Sequence, residues 1–141
     1  MYKEKVLALF EDAKFIKQLG IKALVVEKGY LKTSLLIEPF HLQQHNFIHA
    51  AVLAAMADHT AGAAATTLIK DDQEVLTIEF KINFLKPATG RVLYCESKVI
   101  RGGKTIIVAE SDVYSDKSGV DKLLAKAIVT LTPVSGEIVK K

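Results

Sequence analysis

Sulfur chemistry is nearly absent from this chain of 141 residues, which has a single cysteine, Cys95, and two methionines. No intrachain disulfide can form, and no cysteine-based metal site can be built. No run of five or more like charges occurs, so a nucleic-acid-binding arm is not indicated. Long hydrophobic runs are missing too. The longest apolar stretch, residues 50–69, is mostly alanine and is interrupted by Asp58 and His59, which is too weak for a membrane span. The N-terminal segment MYKEKVLALFEDAKF lacks a long apolar core and a small-residue cleavage site, so no signal peptide is expected and a cytoplasmic location is the default. No serine sits in a nucleophile-elbow motif, and neither a phosphate loop nor a dinucleotide fingerprint occurs. The four histidines His41, His45, His49 and His59 do not put three ligands on one helix face, and no HExxH pattern is present, so no metal is expected.

What remains has an ordinary globular balance, with 50% hydrophobic and 25% charged residues and a net charge of +3. The length fits one domain, expected over residues 1–141. Residues 2–19 read as an amphipathic helix, with Val6, Phe10, Ala13 and Ile16 at helical spacing and Gly20 as its stop. Residues 21–27 and 30–37 read as strands around a Lys28-Gly29 turn, the second with Leu31, Thr33, Leu35 and Ile37 on one face. Pro39 ends that run, and residues 40–49, FHLQQHNFIH, are a polar loop. Residues 50–69, AAVLAAMADHTAGAAATTLI, have high helix propensity and apolar residues nearly all round, the pattern of a buried helix.

Strands follow. Residues 75–84 alternate, with Leu76, Ile78, Phe80, Ile82 and Phe84 on one face and Thr77, Glu79, Lys81 and Asn83 on the other. Residues 92–100 and 105–114 flank an RGGK hairpin signal. Residues 123–131 form the last strand, closed by Pro133, before a loose tail. Four consecutive strands imply an antiparallel meander, and the long apolar helix inserted before them must be buried by that sheet. The expected class is α+β, a curved antiparallel sheet wrapped around a central helix, with an additional helix at the N-terminus.

Asp58 is the informative residue, because a carboxylate inside an alanine-rich buried helix is desolvated unless something compensates it. Its neighbours at three and four residues are Ala54, Ala55, Ala61 and Gly62, so something must approach this small-residue stripe closely. Two readings stand: tight packing with Asp58 bonded to a loop amide, or a narrow slot holding a ligand beside a carboxylate. In the loop before the helix, Gln43, Gln44, His45, Asn46 and His49 crowd together. The backbone N–H groups of Ala50 and Ala51 are free if the helix starts there, and they favour a developing negative charge. Thr77 reads as a residue of a solvent face. Arg101 and Lys104 flank Gly102-Gly103 as solvated charges or a phosphate grip.

The stretch QQHNFIHAAVLAAMADHTAGAAA, with Asp58 nine positions after His49, is followed by LTIEFKINFLKPATG and the RGGK hairpin. Together these resemble the PaaI-like (phenylacetate-degradation) branch of hotdog-fold acyl-CoA thioesterases, over residues 38–132. The resemblance implies hydrolysis of an acyl-CoA or related pantetheine thioester, with coenzyme A as part of the substrate and no further cofactor. It implies Asp58 as general base or nucleophile and the Ala50 backbone N–H, after His49, as oxyanion donor. It implies Gln43 holding the carbonyl or water, and Thr77 as a water-positioning hydroxyl in a partner subunit's part of the site. Arg101 and Lys104 would meet the CoA phosphates. It further implies a homodimer paired edge to edge with shared sites, or a homotetramer. The chain departs from the family pattern in reading His-Ala-Ala for His-Gly-Gly, in having Gln43 for Asn, and in having Asn46 where glycine is common. The alternatives are a non-catalytic acyl-CoA or acyl-ligand binding protein, and a hotdog dehydratase using His49. A purely structural dimerisation domain would leave Asp58 unexplained.

Overall fold

The computed structural model describes residues 1–140. The N-terminal helical stretch is two helices, α1 (Tyr2–Glu11) and α2 (Lys14–Leu19), rather than the one expected. The break has a geometric reason. Val6, Phe10 and Ile16 are all buried, but on an unbroken helix Ile16 would lie about 240° round from Phe10. Extended backbone at Ala13 turns Ile16 inward, and Gly20 ends α2 at φ 94°. Strands β1 (Ile21–Glu27) and β2 (Tyr30–Leu36) then form a hairpin, and helix α3 (Ala50–Thr66) follows the loop. α3 stops short of residue 69 because the Thr67 hydroxyl bonds back to the Ala64 carbonyl and accepts the Gly29 N–H.

The remaining strands are β3 (Gln73–Phe84), β4 (Val92–Gly102), β5 (Ile107–Ser115) and β6 (Ala125–Ser135), before a last turn, α4 (Gly136–Val139). Two expectations at this end are corrected. β6 runs through Pro133, which pairs with Val75. Its pairing with β5 ends at Leu131, so a residue without an N–H sits where one neighbour is gone. The tail is held, since Ser135 caps α4 and the Gly136 N–H donates to the Asp72 carbonyl at 2.8 Å.

All six strands pair antiparallel in the order β1-β2-β4-β5-β6-β3. β4, β5 and β6 form the expected meander, but β3 does not join it next to β4. It lies at the far edge beside β6, and β2 takes the place next to β4. The connection between β3 and β4 crosses the N-terminal end of α3, where the Ile48 N–H donates to the Ala88 carbonyl at 2.9 Å. The sheet curls round α3, so a short connection suffices.

On the side of α3 facing the sheet, Leu53, Met56, Ala57, Thr60, Ala61 and Ala64 are buried against Leu31, Leu35, Leu93, Val113, Val129 and Leu131. Alanines let the helix approach closely, and buried hydroxyls fill the contact. Thr33 and Thr60 share a hydrogen bond of 2.9 Å. Ser111 donates to the Ala57 carbonyl at 2.7 Å and bonds Ser97 at 2.6 Å. Cys95 adjoins this seam, fully enclosed, and burial pushes its thiol up to about 12. None of the described helices is long and apolar enough to cross a membrane.

Replacing Ser111 with alanine removes a donor from the Ala57 carbonyl and a partner from Ser97, both buried. Urea unfolding should show a loss of about 1–3 kcal/mol with an unchanged far-UV spectrum. A midpoint equal to the wild type would show that the seam is not stabilising.

Candidate active site

The face of α3 turned away from the sheet is not dry. Ala51 is exposed, and Ala54, Ala55, Asp58 and Gly62 are half-buried. The helix is therefore apolar and enclosed on one side and half-open along its small stripe, which corrects the expectation of burial all round. Asp58 projects from this stripe at the edge of solvent.

Its partner is Thr77, whose hydroxyl donates to Asp58 Oδ1 at 2.7 Å. The strand pattern placed Thr77 with Glu79, Lys81 and Asn83, and that is overturned. A β-bulge lies between Thr77 and Glu79, so that Thr77 pairs with Leu131 and Glu79 with Thr130. The extra residue, Ile78, flips the alternation. Thr77 thus shares a face with Phe80, Ile82 and Phe84, opposite the buried Leu131, Val129, Ala127 and Ala125, although it remains exposed as the solvent-face reading expected. The resemblance put this hydroxyl in a partner's portion of the site. It lies instead beside the Asp58 of its own chain.

Asp58 and Thr77 open onto a cavity of about 150 Å³ that also touches Leu9, His59, Gly62 and Thr66. His59, next to the carboxylate, packs edge-on against Phe10 with ring centroids 4.8 Å apart. Burial holds its imidazole below the usual range, against the opposing pull of Asp58 and of the Leu9 carbonyl. Its Nε2 is buried without a hydrogen-bond partner.

The second group gathers at the N-terminus of α3. His49 is the N-cap, and its Nδ1 accepts the Ala51 N–H at 2.9 Å. Only one of the two N–H groups expected to be free remains so. Ala50 opens the helix and no described hydrogen bond uses its N–H. His49 is committed to capping, and its backbone is ordinary extended chain at φ −61°. Among the described residues, the only non-glycine at positive φ is Asn46, at 66°. This explains why asparagine stands where glycine is common, since it tolerates that region better than other side chains.

Gln43 closes this loop. Its Oε1 accepts the His45 and Phe47 N–H groups, which identifies that atom as the oxygen and leaves the NH₂ end as a donor. Gln43 and Ala50 both line a cavity of about 410 Å³, together with Phe47, Leu53, Phe84 and Lys86. His41 is structural, with Nδ1 accepting the Glu38 N–H and Nε2 meeting the Leu19 carbonyl. His45 is exposed.

The candidates therefore form two groups rather than one. Asp58 and Thr77 share a cavity, and Gln43, Ala50 and the capping His49 surround another. Asp58 lies eight helical steps along α3 from Ala50, a rise of about 12 Å. Arg101 and Lys104 are exposed and join neither group. Lys104 lines a separate cavity with Lys70, Gly102 and Gly103. Among the described residues no cluster of three or more His, Cys, Asp or Glu could hold a metal. The sequence reading missed Leu9 and His59 as neighbours of Asp58. His59 adjoins it in the chain, but only the docking of α1 shows that its ring is enclosed.

Comparison with known proteins identifies the family and the fold. The thioesterase superfamily matches residues 45–122, more than half of the chain. The 1,4-dihydroxy-2-naphthoyl-CoA hydrolase of Listeria monocytogenes is 26% identical over 80% of this chain and 89% of its own length. A thioesterase family protein from Silicibacter pomeroyi superposes with a TM-score of 0.90, at 29% identity, over 96% of this chain and all of that one (100%). PaaI of the Escherichia coli phenylacetic acid degradation operon shares the fold with a TM-score of 0.85 at 19% identity, over 96% and 94% of the two chains. A sheet curled around one helix, a carboxylate on that helix and a free amide at its N-terminus are thus found in a chain that belongs to the thioesterase superfamily and has the hotdog fold of PaaI-like proteins.

Proposed function

We propose that this protein hydrolyses an acyl-CoA, or a related pantetheine thioester, in a site shared by two copies of the chain. The observation that carries this reading is the Asp58–Thr77 hydrogen bond at 2.7 Å on the open side of α3. The Thr77 hydroxyl occupies Oδ1 and leaves the other carboxylate oxygen to take a proton from water or to attack the thioester carbon. The Ala50 N–H and the Gln43 amide donate to the carbonyl oxygen as it gains charge. Alanine for glycine after His49 is compatible with this role, because the backbone from His49 to Ala51 has no positive φ.

A shared site follows from distance. The Ala50 N–H and the Asp58 of one chain are too far apart to act on one carbonyl. The ends of β3 coincide with the two groups, Thr77 lying towards its start and Phe84 at its end. β3 is an edge strand, paired with β6 on one side only, with exposed Leu76, Ile78, Phe80 and Phe84, a surface that calls for cover. Antiparallel pairing of two such edges about a twofold axis brings the Asp58 of one copy towards the Ala50 of the other. Arg101 and Lys104 are assigned to the CoA phosphates on charge alone. No cofactor beyond the substrate's own CoA is invoked, and a cytoplasmic setting is the working assumption.

Asp58→Asn should lower kcat/KM for a responsive acyl-CoA by about a hundredfold or more. Thr77→Val, which keeps the carboxylate but removes its donor, should cost roughly tenfold. An Asp58→Asn enzyme as fast as the wild type would exclude the mechanism, and binding without turnover would instead identify an acyl-CoA binding protein.

Light scattering should find a dimer or a larger even-numbered assembly. Refolding an equal mixture of Asp58→Asn and Gln43→Ala chains should restore about a quarter of wild-type activity, since half of the dimers then carry one intact site. No recovery would mean that each chain works alone.

A further inference from the structure

His59 sits where the N-terminal helix meets α3. Phe10 of α1 is buried and meets the imidazole edge-on, with ring centroids 4.8 Å apart. Leu9, one residue earlier, walls the Asp58 cavity that His59 also lines. Val6 of the same helix is fully buried. Lys5 pins the start of α1. It donates to the Asp71 carbonyl at 3.0 Å, bonds the Gln73 carbonyl and lies 3.7 Å from the Glu74 carboxylate. α1 therefore covers His59 as a seated cap. It joins the rest of the chain through a break, the extended backbone at Ala13 with ψ 101°, so it can lift as a unit while α2 stays in place.

Beneath this cap the imidazole is sealed but not satisfied. Its Nε2 is buried and meets no hydrogen-bond partner among the described residues. A lone pair in such a place costs less than a proton there, which adds a charge and a donor with nothing to receive it. Burial accordingly holds the ring below its usual range, although Asp58 and the Leu9 carbonyl pull the other way. The remaining charges nearby are engaged or turned outward. Asp58 Oδ1 is taken by Thr77. Glu74, which lines the cavity from β3, faces Lys5. Lys3, Glu4 and Glu11 of α1 and Lys14 and Lys17 of α2 are exposed. Water reaches Nε2 only when α1 lifts, and the ring then recovers its ordinary value of about 6.5. The open form thus binds more protons than the closed one. Closure is fully stable above about pH 6.5 and weakens as the pH falls below it, by up to about tenfold in the opening equilibrium per pH unit.

We propose that α1 is a pH-dependent cap over the Asp58 cavity, seated on the neutral ring of His59 and released when that ring takes a proton. Leu9 leaves with the helix, so one wall of the cavity opens at the same moment. The test needs no substrate and stands apart from thioester hydrolysis. Amide hydrogen exchange is followed at about pH 7.5 and about pH 5.5 in the wild type, His59→Phe and His59→Leu, each rate being divided by its unfolded-chain value at that pH. Phenylalanine and leucine differ in shape, and thermal midpoints show which variant is folded. In the wild type the α1 amides should lose roughly tenfold in protection at the lower pH, while those of β4 and β5 keep theirs. In the variants α1 protection should not change with pH. Unchanged α1 protection in the wild type overturns the proposal. So does the same tenfold loss in a folded variant, which places the titrating group elsewhere. A loss shared by β4 and β5 also overturns it, since the whole chain is then unfolding in acid.

Discussion

Everything in this molecule depends on how closely α3 approaches the concave face of the sheet. Alanines at positions 57, 61 and 64 leave so little between helix and strands that Ser111 reaches the Ala57 carbonyl and Thr33 meets Thr60. A larger residue at any of these points would lift the helix and open the curl. Because the sheet takes one side of α3 completely, the other side is left half-open, and Asp58 falls there. Fold and chemistry thus share one cause, with the backbone of Ala57 tied to the sheet while the next side chain faces the cavity.

The irregularities of the fold fall near this open side. The bulge at Ile78 turns Thr77 under the carboxylate, and the positive φ of Asn46 tightens the loop that Gln43 closes. Both are local departures from regular geometry that aim a polar group. They lie by the two ends of the part of β3 from Thr77 to Phe84, so the same edge strand that exposes apolar residues also spans the distance between the two groups of functional residues.

Much of this was legible in the chain. The alanine-rich composition of α3 and the alternation of β2 stated their own structure, because a periodic apolar pattern is a local property. The position of Asp58 was visible for the same reason. The order of strands was not, because the crossing from β3 to β4 is decided by curling of the whole sheet. The face of Thr77 was misread, since alternation assumes two residues per repeat and a single inserted residue inverts every assignment before it. The break between α1 and α2 shows the same limit, as Ile16 belongs to one amphipathic pattern in sequence but turns inward only through a kink. The enclosure of His59 depends on α1, nearly fifty positions away, and no local pattern reports it.

Cys95 lies on the same contact between helix and strands, fully enclosed and with its thiol held far from ionisation. The thiolate is the reactive form, so in the closed molecule this sulfur is silent to oxidants and alkylating reagents alike. A reagent that modifies it has met a molecule whose helix and sheet had separated. The chain's one thiol is therefore a clock for breathing of its core, and slow labelling under native conditions would count those openings one at a time.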